Sequence, residues 1–496
     1  MENKVINPRF TFVQKDKRIL DAKMETKSIG FFKDAMYRFT RNKASIVAGA
    51  ILLFMVLFSI ITPFCTGYST TQADSYYTNC LPKAFSDAGG FWDGTEKRTL
   101  GEAEYYLFSE AGRVKEVYSV YETGDDFMGY VKKYDVRYDT YVVGSVTHTL
   151  TKNELDAIIA YDKASSDDKK ILEPLIDTKW IAEENQDATI VENLIRSNAN
   201  YDYRFNGRTK LPILKNGELQ RTWKTDENGN YVYYEATGLS GNVYNVRMSY
   251  DNYYYYLHGN NPVFGLGSDA QGRDILTRLS MGGRFSLLFA VGVSAINLII
   301  GLIYGAIEGF YGGTVDIVME RISEILSEVP FMVVIALLKN YNGVYFSISV
   351  AGMLFVAFIL TGWLGTASTV RMQFYRYKKQ EYVLASRTLG ASDARLIFRH
   401  ILPNSVGTIV TSSVLMIPGV IFSESSLSYL GIVNFDATGL TSIGTMLSQG
   451  QATYTTNPNN IFWPALFISV LMICFNMFGN GLRDAFNPQL RGSDNV

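Results

Sequence analysis

The chain has 496 residues and a net charge of −2, and 47% of it is hydrophobic, with only three histidines and three cysteines. The histidines lie far apart in no metal-ligand spacing, which argues against a zinc hydrolase and leaves no Ser/His/Asp or Cys/His catalytic set to propose. Three cysteines cannot build a disulfide framework. A bond between Cys65 and Cys80 is compatible with the sequence, and two unpaired thiols are at least an equal alternative.

A basic segment and a long apolar run open the chain. Residues 1–44 hold about eleven basic and about five acidic side chains. Residues 45–64 are apolar and uncharged, and at roughly 1.5 Å per residue they span about 30 Å, the thickness of a bilayer core. A signal peptide is disfavoured because 44 residues precede the run and no small-residue cleavage site follows it. We predict a first transmembrane helix over residues 45–64.

A long polar segment, residues 66–260, follows this helix and is large enough to bury a core of its own. Period-2 patterns over residues 141–150, 231–236 and 244–250 predict strands. Thr151 with Glu154 three residues later forms a capping box that predicts a helix over residues 151–161. A second helix is predicted over residues 187–197. We therefore expect an inserted α+β domain between the first and second spans.

This segment holds 23 of the 33 tyrosines of the chain. Tyrosine combines a flat apolar ring with one polar tip and suits interfaces. The tyrosines therefore fit a docking surface for a solute-binding protein or a peptide. The plainer interpretation, which we favour, is ordinary β-sheet tyrosine with an interfacial belt where the chain re-enters the membrane.

Five further apolar stretches follow, over residues 285–310, 316–338, 347–363, 406–421 and 461–478. The glycines of the first favour close helix packing. The second stretch carries Glu320, Glu324 and Glu328 on one helix face, which must face water or the protein interior rather than lipid. Together with residues 45–64, these stretches predict six transmembrane helices.

The loops predict the orientation of these helices. Residues 371–399 carry seven Lys and Arg side chains, whereas residues 431–460 carry none. By the positive-inside rule, both termini and residues 371–399 are predicted to be cytoplasmic and residues 66–280 extracellular, in a multi-pass plasma-membrane protein. Arg273, Arg278 and Arg284 count against this orientation.

The segment from Gln380 to Pro403 is the most informative cytoplasmic sequence. Gly390 can adopt the left-handed conformation that ends a helix. Ser392 can cap the next helix, Asp393 suits its positive end, and Pro403 is expected to stop it before the fifth span. Such a stiff helix-turn-helix can transmit force from a partner.

This segment resembles the EAA loop of ABC importer permeases, the part that seats in a cleft of the ATPase subunit. Leu384, Ala385 and Ser386 stand at the Glu-Ala-Ala positions, while Gly390 and the closing 401–403 agree with the peptide-transporter branch. Residues 267–278, 315–330, 423–431 and 476–491 and the Arg-Asn-Lys at 41–43 also resemble C-type permease subunits of the oligopeptide/dipeptide family. The resemblance covers residues 35–65 and 262–491.

The resemblance implies an all-α polytopic membrane protein with six transmembrane helices, the type I ABC importer permease fold. Its transmembrane domain would occupy residues 283–482, with a cytoplasmic coupling loop at 371–403 and a tail at 483–496. It implies an ATPase-coupling role for Glu381, Ala385, Ser386, Arg387, Gly390, Ala391, Ser392, Asp393, Arg395 and Pro403. Glu424, near the outer end of the fifth span, fits either a gate or pathway residue or a local structural hydrogen-bonder.

The resemblance also implies the function and the partners. The chain would be a permease subunit for peptides and work with a second homologous permease, two ATPase subunits and an extracellular solute-binding (lipo)protein, among membrane lipids and without nucleic acid. The sequence lacks the phosphate-loop motif Gly-x-x-x-x-Gly-Lys-Ser/Thr. ATP and Mg are therefore expected on the ATPase subunits. This chain is expected to bind no cofactor or metal and not to be an enzyme.

Three alternatives remain. An ABC permease of this type could serve nickel or another small solute. An ion-gradient secondary transporter would need paired acidic residues at the bilayer midplane and symmetric broken helices. An anchored receptor acting through its outer domain would not need six spans.

Overall fold

A computed structural model describes residues 31–84, 92–125, 129–177, 201–206, 209–237, 242–342, 347–436 and 439–486. The helix predicted over residues 187–197, residues 1–30 of the basic segment and residues 487–496 of the tail lie outside these ranges. The helices are α1 (Phe31–Arg41), α2 (Lys43–Cys65), α3 (Glu102–Glu110), α4 (Lys152–Ala164), α5 (Tyr250–His258), α6 (Ile275–Tyr311), α7 (Gly313–Ser327), α8 (Phe331–Tyr341), α9 (Val350–Gly362), α10 (Leu364–Lys378), α11 (Glu381–Thr388), α12 (Asp393–Arg395), α13 (Leu402–Tyr429), α14 (Ile443–Gln451) and α15 (Asn459–Phe486).

Five helical stretches in the described part of the chain are long and apolar enough to cross a membrane: Lys43–Cys65, Ile275–Tyr311, Val350–Lys378, Asp393–Tyr429 and Asn459–Phe486. Their shared core contains the fully buried side chains of Val293, Leu354, Ile421 and Leu471. Close helix packing by glycine is confirmed at Gly305, where a Cβ would lie 2.2 Å from the carbonyl oxygen of Ala367 on α10. These five helices therefore form one packed bundle.

The stretch predicted as the third span, residues 316–338, is divided into two helices. α7 ends at Ser327 and α8 begins at Phe331, with Pro330 between them. Proline lacks an amide hydrogen and disfavours helical backbone at the residue before it, so the helix breaks here. Neither helix is long enough to span a bilayer alone. The prediction of an unbroken third span is therefore wrong, and five rather than six spanning helices are found in the described ranges.

The fifth span begins earlier than expected. Pro403 was expected to stop the helix that follows Ser392, but α12, a π-helical turn (Leu396–Ile401) and α13 are continuous from Asp393 to Tyr429. Pro403 therefore lies inside one continuous helix, directly after the π turn. The wide π turn ends with the amide of Leu402 donating to the carbonyl of Ile397. The helix that follows Ser392 and the predicted fifth span are therefore one continuous helix.

Between α2 and α6 the chain forms short strands and helices. The strands are β1 (Thr95–Gly101), β2 (Val114–Asp125), β3 (Gly129–Asp139), β4 (Ser145–Thr151), β5 (Leu172–Glu173), β6 (Tyr203–Asn206), β7 (Thr209–Pro212), β8 (Leu214–Lys215), β9 (Glu218–Leu219), β10 (Tyr234–Thr237) and β11 (Val243–Ser249). One antiparallel sheet has the order β1-β3-β2, and another has the order β10-β11-β4 with β5 also paired to β11.

The period-2 patterns correspond to β4, β10 and β11, although β4 starts at Ser145 rather than at residue 141. The capping box at the start of α4 is confirmed. The amide of Glu154 donates to Thr151 Oγ1 (3.4 Å), and the Glu154 carboxylate accepts from the amide of Thr151 (2.9 Å). Local sequence thus places these elements well.

Several tyrosines of this segment are core residues. Tyr77, Tyr134, Tyr138, Tyr141, Tyr203, Tyr250 and Tyr254 are buried, whereas Tyr118, Tyr121, Tyr130, Tyr231, Tyr234 and Tyr255 are exposed. Cys80 is buried among the first group, where burial raises the pKa of its thiol to about 12. Cys65 is exposed, and both thiols are free, so the alternative of two unpaired cysteines is the one observed.

The beginning of the inserted segment is built onto the ends of the membrane helices. Asn79 accepts hydrogen bonds from Asn457 (3.1 Å) and Asn460 (3.0 Å), at the start of α15. The amide of Cys80 donates to Ser268 Oγ (2.8 Å), and Trp92 Nε1 donates to the carbonyl of Gly265 (2.6 Å). Residues 74–84 therefore form part of the membrane bundle's end layer.

Candidate functional site

The predicted coupling segment is a helix, a left-handed glycine and a second helix. α11 begins after Gln380, with Glu381 in its first turn, and ends at Thr388. Gly390 has φ of +83°, which confirms the predicted left-handed conformation. The amides of Gly390 and Ala391 donate to the carbonyls of Arg387 (3.0 Å) and Ser386 (3.1 Å). These bonds satisfy the last carbonyls of α11 and fix the turn.

The coupling segment packs firmly onto the membrane helices. Val383 of α11 and Leu396 and Ile401 of the π turn are fully buried. They share a cluster with Phe310 at the end of α6 and Phe374 of α10. Buried apolar contact with two spans holds the segment in one orientation, because a well-packed core has few alternative arrangements. A force applied to the segment would therefore act directly on α6, α10 and α13.

The opposite face of the segment is open. Of the ten predicted coupling residues, Ser386 and Ala391 are half-buried, while Glu381, Ala385, Arg387, Gly390, Ser392, Asp393, Arg395 and Pro403 are exposed. Three apolar side chains absent from that prediction lie on this face, namely Leu384 (46% exposed), Leu389 (88%) and Phe398 (69%). Large apolar side chains within a polar stretch are the sequence signal for them.

Ser392 occupies the N-cap position, but the predicted cap hydrogen bond is not observed. Its backbone is extended and its carbonyl accepts from the amide of Leu396 (3.0 Å), whereas its side chain makes no capping bond. Asp393 lies in the first turn of this helix as expected, where a negative charge suits the helix dipole. The Ser392 hydroxyl is thus left on the open face.

An ionic cluster joins α10 to the neighbouring helices just before the coupling segment. Arg371 Nε lies 2.7 Å from Asp316 Oδ1 and 3.3 Å from Glu308 Oε1, and Arg371 Nη1 lies 3.0 Å from Glu320 Oε2. Lys378 Nζ donates to the carbonyl of Gly309 (2.7 Å). Glu320 was predicted to face water or the protein interior rather than lipid, and it pairs with Arg371. The cluster ties α6, α7 and α10 together.

Glu424 lies in the interior of the bundle, and its side chain is fully buried. Ser286 Oγ of α6 donates to one carboxylate oxygen (2.9 Å), and Ser428 Oγ donates to the other (3.1 Å). In this arrangement Glu424 is a hydrogen-bonding centre between α6 and α13. The coupling segment and Glu424 are separate places in the molecule, and the gate role of Glu424 stays a prediction.

A second ionic cluster contains two of the three arginines that counted against the predicted orientation. Arg278, with 1% of its side chain exposed, pairs with Asp269 and with Asp436 (3.2 Å). Arg273 pairs with Asp269 (2.9 Å) and donates to Gln449 (3.0 Å). Because these charges are balanced within the protein, they do not act as free loop charges in the positive-inside rule.

Among the described residues, no group of three or more His, Cys, Asp and Glu side chains is placed to hold a metal ion. The cluster at Arg278 pairs two arginines with Asp269 and Asp436, whereas the cluster at Arg371 has three carboxylates around one arginine. The coupling segment presents polar and apolar side chains on a fixed support.

Two family models match the chain. The model of the binding-protein-dependent transport system inner membrane component matches residues 285–492. The model of the N-terminal transmembrane domain of oligopeptide transport permease C matches residues 30–82. Residues 83–284, which contain nearly all of the inserted segment, lie between the two matches.

Curated relatives support the same assignment. The oligopeptide transport system permease protein OppC of Bacillus subtilis (strain 168) is 43% identical over 227 residues, which cover 45% of this chain and 72% of that protein. The dipeptide transport system permease protein DppC of the same strain is 41% identical over 226 residues, covering 45% of this chain and 68% of that protein.

Among solved structures, the MetNI methionine ABC transporter in an inward-facing conformation has 15% sequence identity to this chain. The match covers 42% of this chain and 96% of that one, with a TM-score of 0.33. The two family models and the curated relatives are sufficient: the chain belongs to the family of inner-membrane permease components of binding-protein-dependent transport systems, with the N-terminal transmembrane domain typical of oligopeptide transport permease C.

Proposed function

We propose that this chain forms part of the translocation pathway of an ATP-driven importer for peptides. Family membership makes it a transporter component, and the two curated relatives above are named as oligopeptide and dipeptide permeases. The observation that carries the mechanism is the coupling segment. It is anchored by buried Val383 and Leu396 and presents exposed Leu384, Leu389 and Phe398 on its open face.

A partner ATPase explains that open face. Isolated apolar side chains are common on surfaces, but three on one rigid turn suit a protein interface. Since the sequence has no phosphate loop, ATP and Mg are bound by two separate ATPase subunits. ATP binding brings those subunits together, and the contact with the coupling segment moves α10 and α13 between inward-open and outward-open states.

A second homologous permease subunit completes the pathway. α7 and α8 expose apolar side chains on the isolated chain, including Ile317, Ile325 and Leu337. In the assembly, lipid and the second permease cover these side chains, and α7 with α8 serves as a broken third span. An extracellular solute-binding lipoprotein delivers the peptide.

The loop charges give the orientation that this mechanism needs. Residues 1–44, the coupling loop and the tail lie in the cytoplasm, and residues 66–280 lie outside the cell membrane. Two single-cysteine variants of a cysteine-free chain test this. An impermeant maleimide is expected to label Asn228→Cys in intact cells, and to label Ser392→Cys only after permeabilisation, since both positions are exposed. The reverse pattern contradicts the orientation.

Transport is tested with the complex reconstituted in vesicles. ATP-dependent, vanadate-sensitive uptake of a labelled oligopeptide that needs this chain supports the proposal. Uptake that persists without ATP and collapses with the ion gradient supports a secondary transporter instead. Nickel uptake without peptide uptake supports the small-solute alternative.

A further inference from the structure

The inserted segment contains a cavity of about 440 Å³, lined by the end of α3 on one side and by the sheet of β4, β5 and β11 on the other. This volume falls within the roughly 300–1,000 Å³ typical of small-molecule sites. Its wall includes Leu107, Glu110, Glu173, Arg221, Trp223 and Arg247. None of these residues lies within the two family matches. The cavity therefore belongs to the part of the chain to which the family matches give no role.

Arg247 is the most buried charged group of this wall. It is 4% exposed, and its Nη1 lies 2.8 Å from Glu173 Oε2. Its Nε has no hydrogen-bond partner among the described residues. Buried N–H groups are nearly always paired in folded proteins. Arg247 is thus a buried cation in the cavity wall, with one N–H that the described part of the protein leaves unpaired.

Two guanidinium groups lie close to the ring of Trp223. The Cζ atoms of Arg247 and Arg221 lie 5.2 Å and 5.8 Å from the centre of its ring. Arg221 also forms two parallel bonds with the Glu110 carboxylate, at 2.7 and 2.8 Å. The ring and the two ion pairs hold both arginines in fixed positions. A guanidinium fork held in this way suits recognition of a carboxylate.

The acidic groups of the wall differ in their availability. Glu173 already accepts from Ser145 (2.8 Å) and pairs with Arg247. Asp251 accepts from the amides of Val143 and Gly144. Glu110 holds Arg221 with both of its oxygens, but 48% of its side chain is exposed, so a ligand can still reach it. The cavity thus combines a buried arginine, an apolar ring and an accessible carboxylate.

We propose that this cavity binds a short peptide with free ends. The peptide's terminal carboxylate accepts from Arg247, its terminal ammonium pairs with Glu110, and its apolar side chains pack on Trp223 and Leu107. The choice of a peptide rests on the peptide transport proposed above. The wall itself favours a zwitterion, because it presents two cationic and three anionic side chains rather than one sign of charge.

Equilibrium binding to the purified full-length chain in detergent, without ATPase subunits, tests this inference. The probes are the tripeptide Ala-Leu-Ala, its C-terminal amide and its N-acetyl form, followed by calorimetry. The free tripeptide is expected to bind, the amide at least about tenfold more weakly and the N-acetyl form several-fold more weakly, because each loses one charged partner. Equal binding of the amide, or no binding of the free tripeptide, overturns the proposal.

Substitutions in the cavity wall test which residues bind the tripeptide. Arg247→Lys keeps the charge but loses the guanidinium fork, and Trp223→Leu removes the ring, so each is expected to weaken tripeptide binding at least about tenfold. Arg98→Met, in a different cavity of the same segment, is the control and is expected to bind as the unmodified chain does. Unchanged binding by both test variants overturns the assignment. If either variant fails to fold, the three probes on the unmodified chain decide.

The two proposals fail separately. A chain that binds the tripeptide in a complex that imports no peptide overturns peptide import alone. A complex that imports peptide with a chain that binds none of the three probes overturns the cavity's role alone.

Discussion

Replacing Gly390 with proline removes the backbone conformation on which the coupling segment turns. The observed φ of +83° lies far from the value near −65° that a proline ring imposes. Proline also removes the amide that donates to the carbonyl of Arg387 (3.0 Å), and it disfavours helical backbone at Leu389. We expect Gly390→Pro to cost at least about 3 kcal/mol at this turn and to abolish ATP-dependent uptake.

Two further substitutions at position 390 are expected to have smaller effects than proline. A Cβ at position 390 meets no atom within 4 Å, so Gly390→Ala costs only the left-handed backbone, about 1–2 kcal/mol. This corresponds to roughly a 5- to 30-fold weaker association with the ATPase subunits if the turn must be formed to dock. Gly390→Asn is the matched control and is expected to lie closer to the unmodified chain, because asparagine tolerates this conformation.

The assay combines peptide uptake in reconstituted vesicles with co-purification of the ATPase subunits. The variant must still insert in the membrane, because the predicted loss is one of docking rather than of insertion. Gly390→Pro with normal uptake and normal ATPase association would refute the coupling role of this segment.

Three other predictions concern stability, measured by thermal unfolding in detergent. Arg371→Met leaves three acidic neighbours with no arginine, so we expect a loss of about 2 kcal/mol, reduced from the value for a fully buried pair because Arg371 is a quarter exposed. Arg321→Met, which breaks an exposed pair, is the control and is expected to cost below about 1 kcal/mol. Glu424→Leu leaves the serine hydroxyls around it without their acceptor, at about 1–3 kcal/mol for each buried group, whereas Glu424→Gln keeps an acceptor and costs less. Burial raises the pKa of Asp274 to about 6, so the folded chain keeps a proton there that the unfolded chain releases near pH 4. The contribution of this carboxyl to the free energy of unfolding therefore falls by roughly 3 kcal/mol as pH rises from about 4 to 6. Asp274→Asn is expected to remove that part of the pH dependence.

Contrary outcomes are specific to each case. Equal costs for the two arginine variants would show that the cluster around Arg371 is only a surface network. An unchanged melting temperature in Glu424→Leu would contradict the hydrogen-bonding role of that carboxylate. A pH profile of Asp274→Asn that parallels the unmodified chain from about pH 4 to 7 would show that Asp274 titrates normally.

Local patterns in the sequence determined the elements that depend on neighbouring residues. The apolar run after residue 44 is sufficient to predict α2, the capping box is sufficient to predict the start of α4, and Gly390 is sufficient to predict the end of α11. These features follow from length, capping and backbone conformation, which are set within a few residues. The helix-glycine-helix form of the EAA-like segment was therefore predictable from the sequence, and its coupling role stays a prediction.

Only the tertiary structure decided where the charges and the helix boundaries lie. Arg371 meets Asp316, and Arg278 meets Asp436, because packed helices bring together residues far apart in the chain. Pro330 separates two helices, whereas Pro403 lies inside one continuous helix. The local difference is the π turn that directly precedes Pro403. A proline's effect depends on whether its neighbours can replace the lost hydrogen bond, and packing rather than local sequence settles that.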